Sequence, residues 1–184
     1  QHPQVDTDYP WITDEDDHPV FGEPVLFHPG VELKAFRARC VTAVDGVTLT
    51  RTTALVDGLV VDFFGCDSDV EHQYDYVLHV DGTLADCSAS LSAPEAGPMD
   101  KAYGYNHVTD IQCAPLADGS AKLTYDVGDG QSMGLDLFST AGELVVAQGH
   151  ANKEEPGLPM LMLRANGTVA GFAAVMSFRG ESPA

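Results

Sequence analysis

The densest run of titratable and aromatic side chains in the sequence is Glu71-His-Gln-Tyr-Asp-Tyr-Val-Leu-His79. On an extended strand His72, Tyr74, Tyr76 and Leu78 project to one face, and Gln73, Asp75, Val77 and His79 to the other. Asp75 and His79 share a face but lie about 13 Å apart along the strand, too far for a direct acid/base pair. A second run, Tyr103-Gly-Tyr-Asn-His107, puts Tyr103, Tyr105 and His107 on one face if it too is extended. Tyrosine and histidine suit sugar recognition, because a ring stacks on C–H faces while its polar tip bonds hydroxyls. They equally suit half-buried strand positions whose polar tips are satisfied internally.

Of the seven histidines, His2, His18 and His28 fall in a proline-rich leader and His150 opens a charged loop. His72, His79 and His107 fall on predicted strands, with a Tyr or Asp two or four residues away to orient the ring. The candidate carbohydrate contacts are therefore His79, Tyr105 and His107, with Arg51 as a carboxylate partner. No catalytic residue is assigned. The sequence has no G-x-S-x-G elbow, no Gly-rich phosphate loop, no H-E-x-x-H and no local Cys-His spacing, so it points to no cofactor and no metal.

The elements that must hold these residues read as strands. From about residue 31 onward, alternating β-branched segments are punctuated by Asp45-Gly46, Asp57-Gly58, Asp81-Gly82, Asp118-Gly119, Asp129-Gly130 and Asn166-Gly167. Each pair favours the positive φ angles of a tight hairpin. Eleven strands are predicted, at about 31–43, 47–56, 59–66, 72–80, 83–91, 105–114, 120–127, 132–139, 143–149, 159–165 and 168–179. No segment keeps a 3.6-residue apolar period long enough to supply the crossover helices of a parallel sheet. The expectation is an all-β, antiparallel β-sandwich over residues 31–179. A closed barrel or a jelly roll differs only in strand connection, which periodicity does not choose.

Residues 1–30 carry five prolines and the acidic run Asp14-Glu-Asp-Asp17, and read as a Pro-rich irregular leader in which Trp11 and Phe21 cover an edge or face of the sandwich. Residues 180–184 form a tail, and the longer internal loops are 92–103 and 149–159. Gln1, followed at once by polar residues, reads as a mature or trimmed start.

Nine Lys and Arg against 28 Asp and Glu give a formal charge of -19, which repels a phosphate backbone and excludes nucleic acid as a partner. The same charge attracts cations or basic partners, or simply keeps the protein soluble. No apolar run approaches a bilayer span, so no membrane partner is expected. Cys40, Cys66, Cys87 and Cys113 contain no C-x-x-C pair; they are either two disulfides or four small buried hydrophobes. Asn166-Gly-Thr168 is a glycosylation sequon.

The run from Arg51 through Asp57-Gly58 to Phe64, then Ser68-Asp69 and His72 to Gly82, resembles the sandwich region of heparinase II/III-like polysaccharide lyases, particularly the alginate and oligoalginate branches. Gly104-Tyr-Asn-His107, Pro159-Met-Leu-Met-Leu-Arg164 and Gly171-Phe-Ala-Ala-Val-Met176 follow in that family's order. The resemblance implies a β-sandwich packed on an α/α-toroid catalytic domain, and β-elimination on a uronic-acid polysaccharide. In that chemistry a Tyr or His takes the C5 proton while a neighbouring group neutralises the carboxylate. The family's toroid constellation and its His-rich sandwich segments have no counterpart here. The chain is thus expected to be inactive alone, either as part of a larger secreted, extracellular or periplasmic lyase or as a free-standing carbohydrate-binding module for acidic poly- or oligosaccharide.

Overall fold

The computed structural model describes residues 22–95, 97–102, 104–140, 142–149 and 157–179. Trp11, Phe21, Tyr103 and His150 lie outside them, as do most of the leader and the tail. Ten strands form one hydrogen-bonded antiparallel network: β1 (Glu23–Pro29), β2 (Leu33–Cys40), β3 (Val47–Val56), β4 (Leu59–His79), β5 (Thr83–Cys87), β6 (Thr109–Pro115), β7 (Ser120–Gly128), β8 (Gln131–Ser139), β9 (Glu143–Gly149) and β10 (Leu158–Arg179). Among the described residues there is no α-helix, only a 3-10 turn at Tyr105–His107. The expected antiparallel all-β sandwich is the observed fold.

The sequence divides β4 and β10 into two strands each, but both are continuous. β4 runs for 21 residues and β10 for 22, paired with each other along nearly their whole length. Their first and second parts belong to different layers. Residues 59–68 of β4 and 169–179 of β10 sit in a layer ordered β1-β2-β3-β4-β10-β8-β7-β5, whereas the other parts continue into β4-β10-β9-β6. The pair bends at a bulge between Gly167 and Val169 on β10, facing Asp67–His72 on β4. There the Val70 N–H donates to the Ser68 hydroxyl at 3.2 Å, a local bond that replaces a ladder partner.

Asn166-Gly167 therefore belongs to a bulge and not to a hairpin. Asp57-Gly58 and Asp129-Gly130 are hairpins, with φ of 51 and 75° and of 52 and 70° at their two residues. Asp81-Gly82 and Asp118-Gly119 carry the chain between strands that do not pair with each other. Turn chemistry marks where the chain reverses; which strand it joins next depends on the layers.

Glu23–Pro29, placed by its prolines in the irregular leader, is a strand. β1 is the sheet edge, where a missing N–H costs no ladder bond, and the register shift between Pro24 and Leu26 absorbs the misfit. All four cysteines are free thiols, and burial pushes the Cys66 thiol up to about 12.

The core lies between the layers. Leu123, Leu135, Leu137, Phe172 and Ala174 of the first meet Tyr76, Leu144, Leu161 and Leu163 of the second. Phe64, Tyr76 and Phe172 stack with centroids 5.9 to 6.3 Å apart. A second cluster, Val108, Ile111, Val145, Ala147, Met160 and Met162, lies on the outer side of the second layer, with Met99 and Tyr105 of the 92–107 segment packed over it. That segment is tied down by backbone bonds from Met99 N to Val108 O and between Glu95 and Ile111. Entry to the second layer requires Gly142, whose φ is +120° and where a Cβ would come within 1.7 Å of the Arg164 carbonyl.

Candidate functional site

β4 carries two clusters of the same composition, Arg, Asp and Tyr, on its opposite faces. The first follows from the Asp57-Gly58 hairpin. Its two-residue turn fixes the register so that Thr53 faces Asp62 and Arg51 faces Phe64, which puts Arg51 diagonally beside Asp62. The Asp62 carboxylate accepts from Arg51 Nε at 3.1 Å and NH2 at 2.6 Å, from the Thr53 hydroxyl at 3.0 Å, and from the Tyr76 hydroxyl at 2.8 Å. Tyr76 belongs to the second layer, so this last bond ties the layers together. Asp62 is 3% exposed and Arg51 52%. Burial alone would raise the Asp62 carboxyl; the bonds from Arg51, Tyr76 and Thr53 outweigh it and hold the group below its ordinary value. Tyr76 is raised by burial and by the proton it gives Asp62.

The second cluster is assembled across the chain. Asp75 pairs in register with Arg164 on β10, accepting from Arg164 Nε at 2.8 Å and NH2 at 3.0 Å. Tyr105 comes down from the loop, donates its hydroxyl to the same carboxylate, and lies 5.7 Å beneath the Arg164 guanidinium. Burial first, then Asp75, pushes the Tyr105 phenol up to about 12, so at neutral pH it is a proton donor and not a base. The Tyr105–His107 stretch is a 3-10 turn where the sequence suggests strand. Gly104, at φ 90°, starts the turn, and Asn106 Oδ1 accepts the Gly104 N–H. The turn overturns the expectation that Tyr105 and His107 share a strand face, and it lifts Tyr105 off the sheet and over Asp75.

His79 ends β4 on the same side of the strand as Asp75, exposed, opposite Met160 and resting over Gly149, where a Cβ would come within 3.0 Å of its ring. His107 is half-buried beside Tyr105. The outer side of the second layer thus carries Tyr105 and His79, whereas Arg51 belongs to the other face of β4, already engaged with Asp62. Asp62 and Arg164 are missed by residue-type reasoning. The first is recoverable from hairpin register; the second has no local signal.

A cavity of about 430 Å³ lies where β4 runs past the first residues of β3, lined by Val47, Leu49, Cys66, His72, Asp75 and Tyr105 among others. The buried His72 Nε2 has no hydrogen-bond partner among the described residues. No group of three or more His, Cys, Asp and Glu among the described residues is placed to hold a metal ion, and no described helix is long and apolar enough to cross a membrane.

No protein-family model matches the sequence, and no curated protein does. Solved structures do. The heparinase III BT4657 gene product superposes with a TM-score of 0.61 at 11% identity, over 91% of this chain and 23% of its own length. A putative aldose 1-epimerase from Escherichia coli K12 matches at 0.51 and 7% identity, over 87% of this chain and 69% of that one. Heparan sulfate lyase HepC from Pedobacter heparinus gives 0.46 at 8%, over 92% and 24%. At such identities the likeness is one of fold. The chain has the β fold of a portion of a heparinase-type lyase and spans less than a quarter of that enzyme's length.

Proposed function

We propose that this chain is the β-sandwich module of a secreted or periplasmic heparinase-like polysaccharide lyase, working on a uronic-acid polysaccharide such as alginate beside a separate α/α-toroid domain and inactive by itself. The observation that carries this reading is the superposition on heparinase III across 91% of the chain, which supports a common scaffold. In this reading the module is inactive alone because the toroid domain supplies the base. β-Elimination needs a base at neutral pH, and the Tyr105 phenol, raised to about 12 with its proton on Asp75, is not one. In the whole molecule the module contributes surface: Tyr105 and His79 meet sugar on the outer side of the second layer, with His107 beside them.

Incubating the isolated chain with alginate, heparin-type and chondroitin-type polymers should give no rise in absorbance from unsaturated uronate, and the same chain joined to a toroid domain should give one. Activity of the isolated chain, or none in the joined molecule, overturns the reading.

The second reading is a free-standing carbohydrate-binding module without enzymatic activity. It is favoured by the superposition on the putative aldose 1-epimerase, of which the fold covers 69%, since there the sandwich makes up most of the chain. A native mass near 19.6 kDa supports the module, and a much larger one supports the lyase.

A further inference from the structure

The first layer is wider than the second. It is ordered β1-β2-β3-β4-β10-β8-β7-β5 and stands against only β4-β10-β9-β6, with β4 and β10 shared between the two. On its core side β1, β2 and the latter part of β3 therefore project beyond the second layer as a wing. No residue of β1 or β2 belongs to either core cluster or packs against one.

Cross-strand register identifies the core-side face of that wing. The line through the buried Leu137 and Ala174 runs out along Asp62 and Thr53 to Phe36 and Phe27. The line on one side of it ends in Leu55, Lys34 and Pro29, and the line on the other in Arg51, Ala38 and Pro24. Phe27, Phe36 and Leu55 are 74%, 45% and 42% exposed. The face that is buried beneath the second layer thus continues into open apolar surface, and a contiguous patch of that kind marks an interaction site.

Its charge runs against that of the molecule, whose formal charge is -19. Lys34 and Arg51 stand on either side of the Phe27–Phe36 row. Lys34 forms no ion pair among the described residues, and the Arg51 side chain is half in water while it holds Asp62. Register places no acid from β1, β2 or β3 on this face, because Glu23 projects to the opposite side with Arg39. The nearest acids are the buried Asp62 and, in the turns at the tip of the wing, Glu32 and Asp57.

Residues 1–21 have the complementary composition. They contain six acids, Asp6, Asp8, Asp14, Glu15, Asp16 and Asp17, and no Lys or Arg. Tyr9-Pro-Trp-Ile12 lies between Asp8 and Asp14, an apolar centre between acids to meet an apolar row between cations. The point of attachment is suitably placed. A Cβ on Gly22, the residue before β1, would lie 3.4 Å from the Ala38 Cβ, on the core-side face. Phe36 is then about 7 Å away along the strand and Lys34 about 13 Å. The eleven residues from Trp11 to Gly22 span about 36 Å when extended, enough to turn back over the wing.

We propose that residues 1–21 dock on the core-side face of the β1–β3 wing, with Trp11 and Ile12 covering Phe27 and Phe36 and the flanking acids meeting Lys34 and Arg51. Tethering makes the contact intramolecular, so a modest interface suffices. A second copy of the chain is disfavoured as the occupant, since two molecules of charge -19 repel.

Trp11 is the only tryptophan, so its fluorescence in the full chain reads the docking directly. Its emission should lie to the blue of the urea-unfolded chain and be shielded from acrylamide, with no dependence on protein concentration. Phe27→Ser combined with Phe36→Ser should shift the emission to the unfolded position and leave the thermal midpoint of the sandwich nearly unchanged, because neither ring belongs to the core. Lys34→Glu should shift it in the same direction, and added salt should release the tryptophan of the parent more than that of Lys34→Glu. Phe138→Ser, on the opposite face of the layer where it aligns with Phe63 across Ala173, should leave the emission unchanged. The proposal is overturned if the parent already emits as the unfolded chain does, or if the Phe27 and Phe36 substitutions have no effect. Emission that moves with Phe138→Ser, or with Val77→Ser beside the cavity on β4, would place the segment elsewhere and overturn it too. A blue shift lost on dilution, together with a halving of the sedimentation mass, would assign the wing to a second copy instead.

Discussion

Arg51–Asp62–Tyr76 and Arg164–Asp75–Tyr105 use the same three side chains on opposite faces of one strand, yet they do different work. In the first, every ligand of the carboxylate comes from a strand, and the Tyr76 hydroxyl reaches from one layer to the other. The cation there is half in water, so the buried and rigid parts are the acid and the phenol. In the second the cation is largely buried and the phenol arrives on a loop. The first is a clamp between layers. The second is a latch that holds the 92–107 segment against the sheet. The difference teaches that the chemistry of a cluster does not set its role; what the tyrosine is attached to does.

The sharpest test of that distinction removes each acid. Asp62→Ala leaves Tyr76 with a buried unpaired hydroxyl and unties Arg51, and should cost about 3 kcal/mol of global stability by denaturant midpoint. Asp75→Ala should cost less, about 2 kcal/mol, because the loop can lift and hydrate Arg164. Its signature is local: faster hydrogen exchange at the Met99 and Ile111 amides, with the core of β7, β8 and β10 still protected. Equal global losses from both substitutions would erase the contrast between clamp and latch.

Acid should act through the clamp. The folded Asp62 carboxyl lies below its unfolded value, so its contribution is complete above the ordinary carboxylate pKa of about 4 and is lost as pH falls through the lower folded value. Midpoints measured down a pH series should fall more steeply for the parent than for Asp62→Asn in that acidic window. Parallel curves would mean that Asp62 does not titrate as a held carboxylate.

Removing single hydroxyls gives smaller effects in a fixed order. Tyr76→Phe deletes a bond to a buried charged acceptor and should cost about 2 kcal/mol. Tyr105→Phe should cost about 1 kcal/mol and show mainly as loosening of the 92–107 segment. Tyr125→Phe removes a buried hydroxyl that has no partner among the described residues, and should be neutral or slightly stabilising. A Tyr105 loss exceeding that of Tyr76 would reverse the assignment of clamp and latch.

Much of this protein is written locally. Alternation and Asp-Gly pairs set an antiparallel β fold, because two central residues at positive φ turn a strand back on itself wherever they occur, as at Asp57-Gly58 and Asp129-Gly130. The same turn fixes register, so Asp62 beside Arg51 is implicit in the sequence even though residue types alone do not reveal it. The faces of Tyr74, Tyr76, Asp75 and His79 follow from a period of two.

Only the tertiary structure decided the rest. It made β4 and β10 continuous through Asp67–Glu71 and Asn166-Gly167, since two strands paired along their length bend together at one bulge instead of breaking. It drew Pro24 and Pro29 into an edge strand that needs no ladder bond from them. It folded Tyr105 into a turn over Asp75, brought Arg164 there from 89 residues away, and aligned Phe63 with Phe138 across an alanine. These juxtapositions join segments far apart in sequence, and no local propensity carries them. They are fixed by which strand neighbours which, and the burial of the shared core selects that order.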